Sequence, residues 1–98
     1  MGQVLSSGGI NVVEYSTVIE LLWDAISHGV LSLEVRLDSE LVVSHLNGLY
    51  HVRDLMLLRR FLRVRLLERK FDNITYIHIP RINNQVANSY ANYVFHTQ

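Results

Sequence analysis

Glu14 and Asp38 are the residues of this chain best placed to do chemistry. Asp38 follows the stretch Leu33-Glu34-Val35-Arg36-Leu37, in which apolar residues at 33, 35 and 37 alternate with charged ones. That alternation is the period of a half-buried strand. A strand that delivers an acid to its C-terminal edge, directly before a helix, is where α/β sheets place metals and phosphates. Glu14 lies near the start of a helical pattern, so a helix start beside a strand end could bring both acids around one cation. Hard Mg²⁺ prefers such oxygen ligands. In phosphoryl transfer it activates a water and stabilises the leaving oxygen. Each acid also has a plainer reading. Glu14 stands three residues after Asn11, the reciprocal spacing of a capping box, and Asp38 could cap the short helix that follows.

The elements that must position these acids can be read from periodicity. Residues 1–10 are rich in Gly and Ser, with Val4 and Leu5 as apolar anchors, and read as a strand stub and loop. Asn11 then reads as an N-cap. Tyr15, Val18, Ile19, Leu22 and Ile26 recur at helical steps. His28 and Gly29 supply a last-turn residue and a C′ glycine. Residues 31–37 form the strand, and Ser39 to Asn47 a short helix stopped by Gly48. A Leu- and Arg-rich helix spans 53–71, and a second strand spans 73–79 before the only proline, Pro80. Asn83 and Asn84 are candidate caps for a last helix from about Gln85 to Phe95. Two strands joined by a helical crossover of this length should pair in parallel. The fold class is therefore α/β, with one domain over residues 1–98. The parallel pair should be covered by helices.

The chain has 98 residues and no net charge, but the charge is divided: −5 over residues 1–52 and +5 over residues 53–98. Such asymmetry suits a metal or nucleic-acid site, and also two halves that attract each other. Arg59, Arg60, Arg63 and Lys70 fall within an arc of about 100° on the second long helix, one basic stripe suited to phosphate contacts. A solvated helix face would look the same. With no cysteine there is neither a disulfide framework nor a Cys-based zinc site. No apolar run reaches the roughly 18 residues of a membrane span, and the N-terminus has no signal-peptide pattern. The expected location is intracellular, cytoplasmic or nuclear, with no membrane partner.

Five short motifs in order resemble the ribonuclease H-like domain, in particular the reverse-transcriptase-associated type of plant LTR retroelement polyproteins. They are Asn11-Val12-Val13-Glu14-Tyr15, Leu37-Asp38-Ser39-Glu40-Leu41-Val42-Val43, Leu46-Asn47-Gly48-Leu49-Tyr50, His78-Ile79-Pro80-Arg81, and Asn84-Gln85-Val86-Ala87-Asn88. The resemblance covers residues 10 to about 95. It implies metal-dependent cleavage of the RNA strand of an RNA–DNA hybrid, with Mg²⁺ or Mn²⁺ as cofactor. In that family four acids hold two metal ions. Glu14 matches the acid of the first helix and Asp38 the acid ending the fourth strand. The last acid's position is Asn88, whose neutral amide is a weaker ligand. The family's first acid lies on an opening three-stranded meander, of which this sequence has at most the tail.

The resemblance therefore implies a ribonuclease H-like fold truncated at its N-terminus and a catalytically impaired site. The alternative is an inactive module that binds nucleic acid or associates with itself. Asn11 and Ser39 match positions that contact the hybrid, and Arg81 lies near the loop position that carries a histidine in many relatives. Loss of the meander would leave the edge of strand 31–37 unpaired. Such edges seek another strand, so homo-oligomerisation through that edge is expected.

Overall fold

A computed structural model of the protein describes residues 3–80 and 92–95. Helix α1 runs from Gln3 to Ser27, strand β1 from Ser32 to Leu37, helix α2 from Glu40 to Leu46 and helix α3 from Leu55 to Glu68. Strand β2 (Asn73–His78) and strand β3 (Asn92–Phe95) complete the order.

Both interior helix stops follow from a glycine that takes a left-handed backbone. Gly29 has φ +74° and Gly48 has φ +78°. At the end of α1, Gly29 N–H donates to the Ile26 carbonyl and Val30 N–H to that of Ala25, each at 3.0 Å. At the end of α2, Gly48 N–H reaches His45 O and Leu49 N–H reaches Ser44 O. This paired pattern satisfies carbonyls that the helix leaves open, and a residue with a Cβ would be strained at the glycine. α3 starts on Asp54, whose carboxylate accepts from the Met56 and Leu57 N–H groups.

The expected strand stub and loop over residues 1–10 are not found among the described residues: α1 already begins at Gln3. Glycine disfavours a helix interior by only about 1 kcal/mol, and extending a helix that already exists avoids the cost of nucleation. Asn11 is therefore interior to α1, and the Asn11–Glu14 capping box does not form. The helix expected from Gln85 to Phe95 is also corrected. Residues 92–95 are β3, and residues 85–91 lie outside the described ones. Tyr93, Val94 and Phe95 are strand-favouring types, and β1 offers them a ladder.

The sheet order is β2-β1-β3. β1 and β2 are parallel, from Ser32↔Asn73 to Leu37↔His78. β3 runs antiparallel to β1, from Leu33↔Phe95 to Arg36↔Asn92. The edge expected to seek a second copy is thus occupied by the chain's own β3. The core lies on the β1 face that carries Leu33, Val35 and Leu37, against Tyr15, Val18, Leu22 and Ala25 of α1. Val42, Val43 and Leu46 of α2 and Leu57, Val64 and Leu67 of α3 close it. The other face of β1 carries Glu34 and Arg36, ion-paired at 2.8 Å, and Arg36 is exposed. Truncating the fully buried Leu22 to Ala should lower unfolding free energy by about 2–5 kcal/mol in a urea titration. A loss under 1 kcal/mol would show that α1 is not seated on this core.

Candidate active site

β1 ends at Leu37, and the two residues after it divide two jobs. Ser39 is the N-cap of α2: its backbone is extended and its Oγ accepts from Val42 N–H at 3.2 Å. Asp38 is therefore not the cap. Glu14, with the capping box absent, is not needed for a helix start either. What remains for both acids is the space between α1 and the end of β1.

Glu14 is only 4% exposed. Its Oε2, and Oδ2 of Asp38, are buried without a hydrogen-bond partner among the described residues. An unpaired buried carboxylate oxygen is costly, because nothing replaces its lost hydration. The electrostatics record the strain. Glu14 is pushed up to about 7, first by burial and next by the negative charge of Asp38, while a hydrogen bond from the Asp38 backbone pulls it back. A divalent cation would relieve both raising causes at once. No group of three or more Asp, Glu, His or Cys side chains poised for a metal occurs among the described residues. Two carboxylates still fit Mg²⁺, which characteristically takes one or two from protein and completes its shell with water and substrate phosphate oxygens.

A second polar pair lies beside the first. Ser39 Oγ donates to Asn11 Oδ1 at 3.0 Å. Asn11 is one turn before Glu14, and Ser39 is next to Asp38, so the two residues expected to contact nucleic acid flank the two acids. Behind them, Tyr15 OH and His45 Nδ1 are 3.0 Å apart and buried, with their rings stacked at 6.1 Å. Burial pushes the Tyr15 hydroxyl up and His45 down, which keeps the phenol protonated and the imidazole neutral. The phenol therefore donates and Nδ1 accepts. This bond ties α1 to α2 next to Glu14.

Sequence patterns did not reveal that bond, nor the Arg65 bridge. Arg65 Nη2 donates to the Leu46 carbonyl at 2.8 Å, and Nη1 reaches both oxygens of Glu68. Tyr76 OH donates to Glu68 Oε2 at 2.6 Å. The result locks the end of α2 to α3 and β2. The only sequence signal was the i,i+3 spacing of Arg65 and Glu68.

The expected basic stripe is partly assembled. Arg59, Arg60 and Arg63 line one cleft between α3 and α1, while Lys70 sits beyond the end of α3. His78, the last residue of β2 and the first of its motif, is exposed. Asn88 and Arg81 lie outside the described residues.

A family model described as "Reverse transcriptase-like" matches residues 1–94. The chain is 34% identical over 91 residues to a ribonuclease HI of Halobacterium salinarum, covering 93% of this chain and 46% of that protein. It is 33% identical over 90 residues to a bifunctional protein of Mycobacterium tuberculosis, covering 92% of this chain and 25% of that one. The chain thus spans less than half the length of these curated relatives. Among solved structures it resembles the N-terminal ribonuclease H domain of the Mycobacterium tuberculosis protein, solved as a fusion with maltose binding protein. The TM-score is 0.73 at 35% identity, over 76% of this chain and 57% of that one. The ribonuclease H of Halobacterium salinarum gives a TM-score of 0.72 at 36% identity, with the same coverage. These relatives are bacterial and archaeal.

Proposed function

We infer a function from one premise: the chain belongs to the reverse transcriptase-like family, and its fold is that of ribonuclease H domains. We propose that it acts on RNA–DNA hybrids at the Glu14–Asp38 pair, cutting the RNA strand weakly. The observation that carries this reading is the pair of buried, unpartnered oxygens, Glu14 Oε2 and Asp38 Oδ2. When bound there, Mg²⁺ or Mn²⁺ supplies an activated water and stabilises the leaving oxygen. Glu14 and Asp38 are the residues that would hold the ion. Ser39 and Asn11, joined at 3.0 Å, orient the strand beside it. Tyr15 and His45 keep the Glu14 segment of α1 fixed against α2.

The impairment is part of the proposal. Only two acids meet among the described residues, and Asn88 offers an amide where the resemblance implies the last of four acids. That shortage favours, as a second reading, a module that binds nucleic acid without cleaving it. The motif order further suggests descent from a plant LTR retroelement polyprotein and an intracellular setting. No described helix is long and apolar enough to cross a membrane.

Cleavage of an end-labelled RNA–DNA hybrid in Mg²⁺ and Mn²⁺ tests the proposal. Asp38→Asn should reduce the rate at least about 100-fold, because a charged ligand is lost where transition-state charge is stabilised. Cleavage that persists undiminished in Asp38→Asn would move the reaction to another site. No cleavage by the wild-type chain would leave the binding module.

A further inference from the structure

The cleft between α1 and α3 has a volume of about 510 Å³ and is lined by Ser16, Ile19, Met56, Arg59, Arg60 and Arg63. Three of its lining residues are arginines. Arg60 is held by a 3.0 Å hydrogen bond from Nη1 to the Met56 carbonyl. Arg59 and Arg63 are exposed and have no ion-pair partner among the described residues. Like charges gathered on one helix face repel, so an anion in the cleft would relieve that repulsion.

The cleft does not share a face with the acid pair. At 100° per residue, Ser16 and Ile19 are turned about 200° and 140° from Glu14. Buried Val18, Leu22 and Ala25 fill the arc between them. Glu14 thus borders the core stripe of α1 on one side, and the cleft borders it on the other. A phosphate in the cleft is not the phosphate being attacked.

We propose that the α1–α3 cleft is a second nucleic-acid site, which takes backbone phosphates away from the Glu14–Asp38 pair. This rests on the nucleic-acid reading of the protein but not on cleavage. Arginine forks match phosphate oxygens two at a time, and the Ser16 hydroxyl adds a further donor. None of the described lining residues is aromatic, so there is no platform for stacking a base. The site reads charge and spacing, not sequence, and accepts duplex DNA as well as hybrid.

The test uses the full chain and a labelled DNA duplex, which is not a cleavage substrate. Affinity should fall linearly with salt on a log–log plot, by about 0.9 for each phosphate engaged. Arg59→Ala/Arg63→Ala should weaken binding at least about tenfold at low salt and flatten that slope by about 2. The same loss is expected in an Asp38→Asn background. Arg59→Lys/Arg63→Lys keeps the charges, so it should restore most of the slope; Arg59→Gln/Arg63→Gln removes them with good helix formers, should show the same loss as the alanine variant, and stands in for it if that variant fails to fold. Unchanged affinity and slope in the alanine variant would overturn the proposal. So would equal competition by a free mononucleotide, which makes the cleft a small-molecule pocket, or by polyglutamate, which makes it a site for acidic protein. Absence of hybrid cleavage would leave this result intact.

Discussion

Glu14→Gln should stabilise the metal-free protein at pH 8 and leave it nearly unchanged at pH 5. Glu14 titrates at about 7 in the fold against 4.5 as the ordinary value, mainly because it is buried and secondly because Asp38 is negative. The folded state therefore holds a proton that the unfolded chain releases first. The favourable contribution is complete below pH 4.5 and is lost as pH rises through about 7. By pH 8 the full shift corresponds to roughly 3 kcal/mol, which residual solvent access reduces to about 1–3 kcal/mol. For a chain of this length that is on the order of 10 °C in Tm. Glutamine carries no charge at either pH and removes the penalty. Thermal melts of both proteins at pH 5 and pH 8 in EDTA measure it directly. Millimolar Mg²⁺ should then raise the wild-type Tm at pH 8 and leave Glu14→Gln where it was, since only the carboxylate is neutralised by the ion. At tenfold saturation the gain is about 1.4 kcal/mol. Melts that are parallel at both pH values would show that Glu14 is solvated and would remove the main reason to place a cation there.

The parts of this site that were legible in the sequence are those fixed by local chemistry. Alternation of Leu33, Val35 and Leu37 with charged residues located β1 to within a residue, because a one-sided strand has no other period. Gly29 and Gly48 marked helix ends, since a left-handed residue is needed there. What stayed hidden depends on contacts across the chain. Tyr15 and His45 are thirty residues apart, and nothing near either announces the other. Asp38 and Ser39 are both good capping types, so only the folded backbone decides that Ser39 caps and Asp38 does not. The Gly- and Ser-rich opening reads locally as a loop, yet it continues α1. The same limit explains β3: whether Tyr93-Val94-Phe95 is a helix end or a strand depends on what lies beside it, and β1 lies beside it.

Removing β3 should therefore do two things at once. A chain ending at residue 91 loses a four-residue antiparallel ladder on β1, from Leu33↔Phe95 to Arg36↔Asn92. At about 0.5–1.5 kcal/mol net for each hydrogen bond, that is on the order of 2–4 kcal/mol of unfolding free energy. The freed N–H and C=O groups of β1 then form an unpaired edge on the strand that presents Asp38. β1 has a firmly specified register, because Leu33, Val35 and Leu37 are buried on one face. A specified strand with an open edge pairs with its equivalent in a second copy. Sedimentation equilibrium at tens of micromolar should show the shortened chain forming dimers, and urea titration should show the loss in stability. The 98-residue chain should dimerise less at the same concentration, since β3 holds that edge. If the shortened chain is as stable as the full one and no more associated, β3 does not hold that edge in solution.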